Sequence, residues 1–324
     1  MRSVRTVVTV GALALAAAVL PTVLAPAAAQ ASRPVPPPPP VSEEQAEPTA
    51  PPAYTPTVYP EVPDAMIKTV AYGRHAHQRM DVSWVPGQGR RPGVFVLHGG
   101  WWSSGDKKSA TAIARGYVAQ GYTVFNVNYR LSGEATWPAQ RDDVLAAIAA
   151  AKRYAARYSF DPENYAILGF SAGGHIAAAV GTYKNGLPGL KGVVGMSPVI
   201  SPLTAFADGA SEAVTHNGRK LRQAAIQLAG GCRPYGLCEN IWASMEVPWQ
   251  ASRGDAPMLA IHSRGEFVPP LHSQLLQEQL RQVGVPMTVR VIPGARHSSA
   301  LYGDAGVSKQ VYAWIAGVLK PAAR

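Results

Sequence analysis

Ser171 stands in Gly169-Phe170-Ser171-Ala172-Gly173-Gly174, between the apolar run Tyr165-Ala166-Ile167-Leu168 and the helix-forming stretch HIAAAVGTY. This is a G-x-S-x-G pattern in a strand–turn–helix setting, where flanking glycines let the backbone turn tightly and hold a serine hydroxyl out at the bend. A helix starting at that serine aims free N–H groups and the positive end of its dipole at any negative charge that develops there. The chemistry such a bend serves is acyl transfer by a nucleophilic hydroxyl. That reaction passes through a tetrahedral oxyanion, which needs preorganised N–H donors worth roughly 3–4 kcal/mol each. His98-Gly99-Gly100-Trp101-Trp102, closing an earlier apolar run, offers a glycine loop of that kind. The backbone amides of Gly100, Trp101 and Ala172 are the candidate donors.

These groups need a frame. Two short β-like runs, KTVAYG and QRMDVSWV, precede the apolar run GVFVLHGG. A helix is expected over 109–120, then the strand YTVFNVNY, a helix over 138–158 and the strand YAILGF. Apolar runs at 193–196, 258–262 and 288–292 alternate with helical stretches, and a last helix covers 306–319. Alternation with apolar runs bounded by Gly and Pro predicts an α/β fold with a mostly parallel sheet covered on both faces. Reactive groups then belong at the carboxyl ends of the strands.

HGGWW, Gly105-Asp106-Lys107, Asn128-Tyr129-Arg130, WPAQRDDV and GFSAGGH together resemble the α/β-hydrolase carboxylesterases of the hormone-sensitive-lipase and feruloyl-esterase-like type. The HGGxW loop has a kynurenine-formamidase flavour. Trp101 stands where many of these esterases have Gly and the formamidases have Tyr. The resemblance spans nearly all the chain beyond Met66 and implies the α/β-hydrolase fold with a triad in the order Ser, acid, His. Ser263-Arg264-Gly265-Glu266-Phe267-Val268-Pro269 resembles the family's HGxxDxxVP segment, which implies Glu266 as the acid in place of the usual Asp; Asp255 and Asp304 are the fallback acids. Pro293-Gly294-Ala295-Arg296-His297 resembles the turn that carries the family's base and implies His297. His98 and His262 end strands and are expected to bond the backbone, and His175 is expected to pack. His75, His77, His216 and His272 have no motif context. No histidine pair has metal-ligand spacing on a recognisable strand or helix, so no metal is expected.

Within 201–253 the alternation lapses into an irregular stretch with Phe206, Trp242 and Trp249, read as a small lid-like insert. Cys232 and Cys238 lie inside it and are expected to form a disulfide if the protein is exported. Trp101, Trp102, Phe170 and Trp249 are candidates for an apolar acyl or aryl pocket, or equally for ordinary core.

Residues 1–31 read as a signal peptide: Arg2 and Arg5, an apolar stretch to Leu20, Pro21, then Ala27–Ala29. Residues 32–63, with five consecutive prolines at 36–40, read as an extended spacer unable to bury a core. The catalytic domain is then 64–324. Thirty Lys plus Arg against 20 Asp plus Glu give a net charge of +10 over 324 residues; loss of Arg2 and Arg5 leaves +8. That charge is dispersed, which argues against nucleic acid and allows association with anionic cell-envelope polymers. The expectation is a secreted, cofactor-free serine hydrolase of short-chain acyl, acetyl or hydroxycinnamoyl esters, with no stable membrane insertion after cleavage. A formamidase-type amidase and a non-catalytic envelope-binding protein are the other readings.

Overall fold

The computed structural model describes residues 55–319 apart from Gln88; the signal-peptide reading and positions 32–54 of the spacer lie outside them. Strands β1 (Met66–Ala71), β2 (Arg79–Trp84), β3 (Arg91–Leu97) and β4 (Thr123–Val127) come first, with helix α1 (Thr111–Ala119) between the last two. Helix α2 (Ala139–Arg153), β5 (Phe160–Phe170), α3 (Ala172–Gly181) and β6 (Leu190–Met196) follow. The sheet order is β1-β2-β4-β3-β5-β6 and then β7 (Met258–Ser263) and β8 (Met287–Ile292), with helix α7 (Leu271–Gln282) between the last two; β2 pairs antiparallel with both β1 and β4, and the other neighbours pair parallel.

The central strands are apolar on both faces over Val94–Leu97 and Ala166–Leu168 because both faces are covered. Val94, Val96, Val124, Ala166 and Leu168 pack on α1 and on α9 (Ala305–Val318). Phe95, Leu97, Phe125, Val127 and Ile167 join the larger core with Val144 and Ala147 of α2 and Ile176 of α3. All four residues from Val94 to Leu97 have zero exposure. A two-residue side-chain period with apolar residues on both faces is what a buried parallel strand requires. The chain leaves β3 toward β4 on one side and then crosses back to β5 on the other. The carboxyl ends of β3 and β5 therefore flank the switch point where α/β sheets open a crevice.

Three expectations need correction. The helix expected over 138–158 ends at Arg153 and is followed by a 3-10 turn, Ala155–Tyr158. The stretch 201–253 is largely helical: α4 (Pro202–Asp208), α5 (His216–Leu228) and α6 (Glu239–Met245) are joined by short turns. Ser201 and Thr215 cap α4 and α5 with their hydroxyls, and Leu221, Ala224, Ala225 and Leu228 sink one face of α5 into the larger core. Finally, folded structure begins before 64, since Thr57 N–H donates to Gly303 O (2.8 Å) and Ala305 N–H to Thr55 O (2.7 Å). Proline-rich chain cannot build its own core but can still donate and accept along another surface.

Candidate active site

Ser171 sits at the junction of β5 and α3 with φ +52°, a left-handed conformation that costs a non-glycine residue of order 1–3 kcal/mol. Its surroundings impose that geometry. A Cβ on Gly173 would lie 2.3 Å from His98 O, so only glycine lets the start of α3 close against the end of β3. Gly100 has φ +126° and packs so tightly on Ser104 that a Cβ would sit 2.1 Å from its carbonyl oxygen. Trp101 and Trp102 follow at φ +59° and +56°. This run of positive φ angles curls the 98–102 turn back beside Ser171. Tyr129 Oη–H donates to His98 O (2.7 Å) and its ring stacks on the His98 imidazole at 4.4 Å, bracing the turn from behind.

The two late strands deliver the other groups. Ser171 Oγ lies 2.9 Å from His297 Nε2, and His297 Nδ1 is in hydrogen-bond contact with Glu266 Oε2. The residues on either side of His297 are pinned: Ser298 N–H donates to Ser197 Oγ (2.8 Å), and Ser263 Oγ–H donates to Arg296 O. The Glu266 side chain is fully buried. Its Oε1 accepts Ser263 N–H (2.8 Å) and faces His262 Nδ1 at 3.4 Å. Burial works to raise the Glu266 pKa, but the hydrogen bonds from His262 and His297 outweigh it and hold the carboxyl below the usual glutamate range.

A cavity of about 350 Å³ opens on this line, walled by Gly99, Gly100, Trp101, Phe170 and Phe267 and floored by Ile113 at the start of α1. Trp101 and Phe267 stack at 5.1 Å, and Phe267 in turn lies 4.3 Å from the His297 ring. The apolar-pocket expectation is thus half right. Trp102 is fully buried in the core with its indole N–H on His175 Nδ1 (3.2 Å), and Trp249 is 62% exposed and away from the cavity. Phe267 and Ile113 were missed; Phe267 adjoins the acid motif, which was the available signal.

The remaining motif residues hold loops. Asn128 accepts Lys107 N–H and donates to Asp106 (2.7 Å), while Lys107 pairs with Asp81 (2.8 Å). Arg130 forks onto buried Asp143 through Nε and Nη2 at 2.9 and 2.7 Å. The fallback acids cap turns: Asp255 accepts Ser252 N–H, and Asp304 accepts Gly306 N–H. Burial lowers the pKa of His175 to about 4 and of His272 to about 3, so both are neutral packing groups. His98 bonds Gly99 O and His262 Nδ1 bonds Val268 O (3.1 Å), both as expected, and His262 Nε2 also meets Ser273 Oγ (2.7 Å). Cys232 and Cys238 form a disulfide.

Among known proteins, the BD-FAE family model matches residues 80–196. A probable carboxylic ester hydrolase, LipM, of Mycobacterium tuberculosis (strain H37Rv) is 28% identical over 75% of this chain and 57% of its own length. The carboxylesterase NlhH of the same species is 36% identical over 35% of this chain and 36% of its own length. The chain thus spans about half the length of the first of these relatives and about a third of the second. Among solved structures, EstE1, a thermostable carboxylesterase from a metagenomic library, superposes with a TM-score of 0.67 at 22% identity, covering 81% of this chain and 91% of that one. A truncated carbohydrate esterase from gut microbiota gives 0.65 at 22% identity, covering 79% and 98%.

Proposed function

We propose that the chain, whose fold is that of the α/β-hydrolases, is a serine hydrolase of carboxylic esters using Ser171, His297 and Glu266. The observation that carries this reading is the unbroken hydrogen-bonded line from Ser171 Oγ through both ring nitrogens of His297 to Glu266. Ser171 Oγ attacks the ester carbonyl carbon while its proton passes to His297 Nε2. Ionised Glu266 accepts a hydrogen bond from the Nδ1–H, fixes the tautomer and stabilises the imidazolium. The N–H groups of Gly100, Trp101 and Ala172 receive the oxyanion. Collapse breaks the ester C–O bond, and the departing alkoxide takes the proton back from Nε2. Water then repeats the sequence on the acyl-enzyme, releasing the acid and restoring the Ser171 hydroxyl. Beyond substrate and water, the steps use only side chains and backbone amides of the protein.

A cavity near the small end of the range for ligand sites favours acetyl and other short acyl groups. The flat Trp101–Phe267 wall also suits a hydroxycinnamoyl ring. The aromatic Trp101 keeps a formamidase-type amidase as the second reading, and matched ester and anilide substrates separate the two. Export, by the leader at 1–31, and attraction of a +8 mature chain to anionic envelope polymers complete the proposal.

A fluorophosphonate probe tests it. Wild-type protein is expected to be labelled at Ser171 and to hydrolyse p-nitrophenyl acetate and butyrate. Ser171→Ala loses the label and roughly 10⁵–10⁶ in kcat, the cost of removing such a nucleophile. A wild-type protein that neither takes the probe nor cleaves any ester of the panel overturns the reading in favour of a binding protein.

A further inference from the structure

Two imidazoles and a carboxylate meet outside the Ser171 cavity. Strand β2 runs antiparallel to β4, with Met80 opposite Val127. The turn that enters β2 therefore lies beside the segment that leaves the carboxyl end of β4. His75 and His77 are on that turn and Glu134 is on that segment. One ligating atom from each of the three lies within 4.8 Å of the other two. His77 Nδ1 and Glu134 Oε2 are 2.7 Å apart, and the His75 and His77 ring centroids are separated by 5.9 Å. A simple His–Glu contact needs only two of these residues; the inward placement of His75 is what a third ligand requires.

The supports on both sides are stiff. His75 N–H donates to Gln78 Oε1 (3.0 Å), while His75 O accepts Gln78 N–H (3.0 Å) and the Arg79 guanidinium (2.9 Å). Glu134 Oε2 also accepts Leu131 N–H (2.9 Å), and Glu134 N–H closes the same turn onto Leu131 O (2.8 Å). His75 Nδ1 accepts the His77 N–H at 3.2 Å. That nitrogen is thus the unprotonated one of the ring, the form a metal needs, and its long bond to a half-exposed amide is one that water can replace.

We propose that His75, His77 and Glu134 form a binding site for a first-row divalent transition cation, zinc foremost. Two imidazole nitrogens and one carboxylate oxygen are the donor set of zinc and its neighbours, whereas calcium and magnesium take oxygen ligands. Metal–ligand bonds of about 2.0–2.2 Å set tetrahedral donors about 3.4 Å apart, so His75 must move inward while the His77–Glu134 pair, now 2.7 Å apart, opens by under an ångström to admit the ion. The side chains of His77 and Glu134 are 31% and 30% exposed and free to make that shift. Three protein ligands leave a further position for water. The ion would fasten the β1–β2 turn to the loop whose Ser132 N–H holds Trp102 O (2.8 Å), behind the turn that carries Gly100 and Trp101.

The test uses the full chain without a polyhistidine tag, stripped with chelator and titrated with zinc by calorimetry and with cobalt(II) by its visible absorption. One equivalent is expected to bind, with a rise in Tm, and excess magnesium or calcium should not displace it. His77→Ala and Glu134→Gln should each weaken binding at least about tenfold while keeping the far-ultraviolet circular dichroism of the wild type. His297→Ala should bind as the wild type does. Absence of zinc binding overturns the proposal, and so does binding that persists in both His77→Ala and Glu134→Gln or disappears in His297→Ala, which puts the ion at the Ser171 cavity. If His77→Ala fails to fold, the Glu134→Gln titration decides by itself.

Discussion

Glutamate at position 266 does with one side chain what a shorter acid could do only in part. Its Oε2 meets His297 while Oε1 is turned back onto Ser263 N–H and toward His262, so the extra methylene spans two supports. Glu266→Asp withdraws the carboxylate by about one C–C bond, roughly 1.5 Å. The contact with His297 or the one with Ser263 is then lost. Misplacement on that scale is expected to lower kcat by roughly 10²-fold with little change in KM. Glu266→Gln keeps the shape but loses the charge and the tautomer control, and steady-state assays should show a kcat loss of roughly 10⁴-fold. The same residue sets an acid limit. Its folded pKa lies below the unfolded value of 4.5, so it stabilises the fold above that pH and the contribution is lost as pH falls through the lower folded value. Denaturation followed below pH 4.5 should therefore be less steep in Glu266→Gln. Ser171 and the glycines around it were legible in the sequence because a strained backbone leaves a signature of residues that tolerate it, whereas His297 and Glu266 were legible only through the family resemblance. Phe267 left only its place beside the acid motif, since an aromatic there looks the same whether it lines a cavity or fills a core.

The segment 201–253 shows where legibility failed. It reads as irregular because α4 and α6 are only seven residues each and its larger buried side chains, Leu221, Ile226, Leu228, Trp242 and Met245, are interleaved with Ala205, Ala224, Ala225 and Ala229, which carry little apolar contrast. The hydroxyl caps at Ser201 and Thr215 and the Leu221, Ala224, Ala225 and Leu228 spacing were the signals present. What ties these helices down is polar. Glu246, between α6 and the 3-10 turn Val247–Gln250, accepts Leu203 N–H in the first turn of α4 at 2.7 Å, and His175 Nε2–H donates to Met245 O (2.9 Å). Burial pushes the Glu246 pKa up to about 7, against the hydrogen bonds from Ser201 and Leu203. The folded state therefore holds a proton there that the unfolded chain has released. Stability from this group is fully present below 4.5 and falls as pH rises to about 7, then levels off. The window does not overlap that of Glu266. Urea titrations of the wild type should show about 2 kcal/mol less stability at pH 8 than at pH 5.5 from this group. Glu246→Gln keeps an acceptor for Leu203 N–H and should abolish that difference.

Across the whole chain, the mostly parallel sheet, its two covered faces and the placement of reactive groups at strand ends follow from alternation and burial, and these were readable, whereas the strand order was not. The boundary at 63/64 was not, because composition reports what a segment can bury by itself and is silent on what it can borrow. Residues 55–62 borrow a surface. Pro56 bridges Asp304, Thr57 Oγ1 shares a hydrogen bond with Ser308 Oγ (2.9 Å), and Tyr59 and Val62 pack against the smaller core. A side chain on Gly116 would collide with the Tyr59 ring and the Tyr312 hydroxyl, at 2.8 and 2.3 Å, so α1 is shaped to receive this strap. Burying parts of two apolar side chains contributes about 2 kcal/mol, which for a domain of this size is roughly 4–8 °C in Tm. The strap's hydrogen bonds reach Tyr302, Gly303, Ala305 and Ser308, from the end of α8 (Ser299–Tyr302) into α9, and Tyr59 sits against Gly116 of α1. The strap thus braces the helix that follows the His297 turn. A chain starting at 64 should melt lower by that amount, in calorimetric scans, while kcat and KM at 25 °C stay within about twofold of the full chain; equal melting temperatures would show that the strap adds no stability.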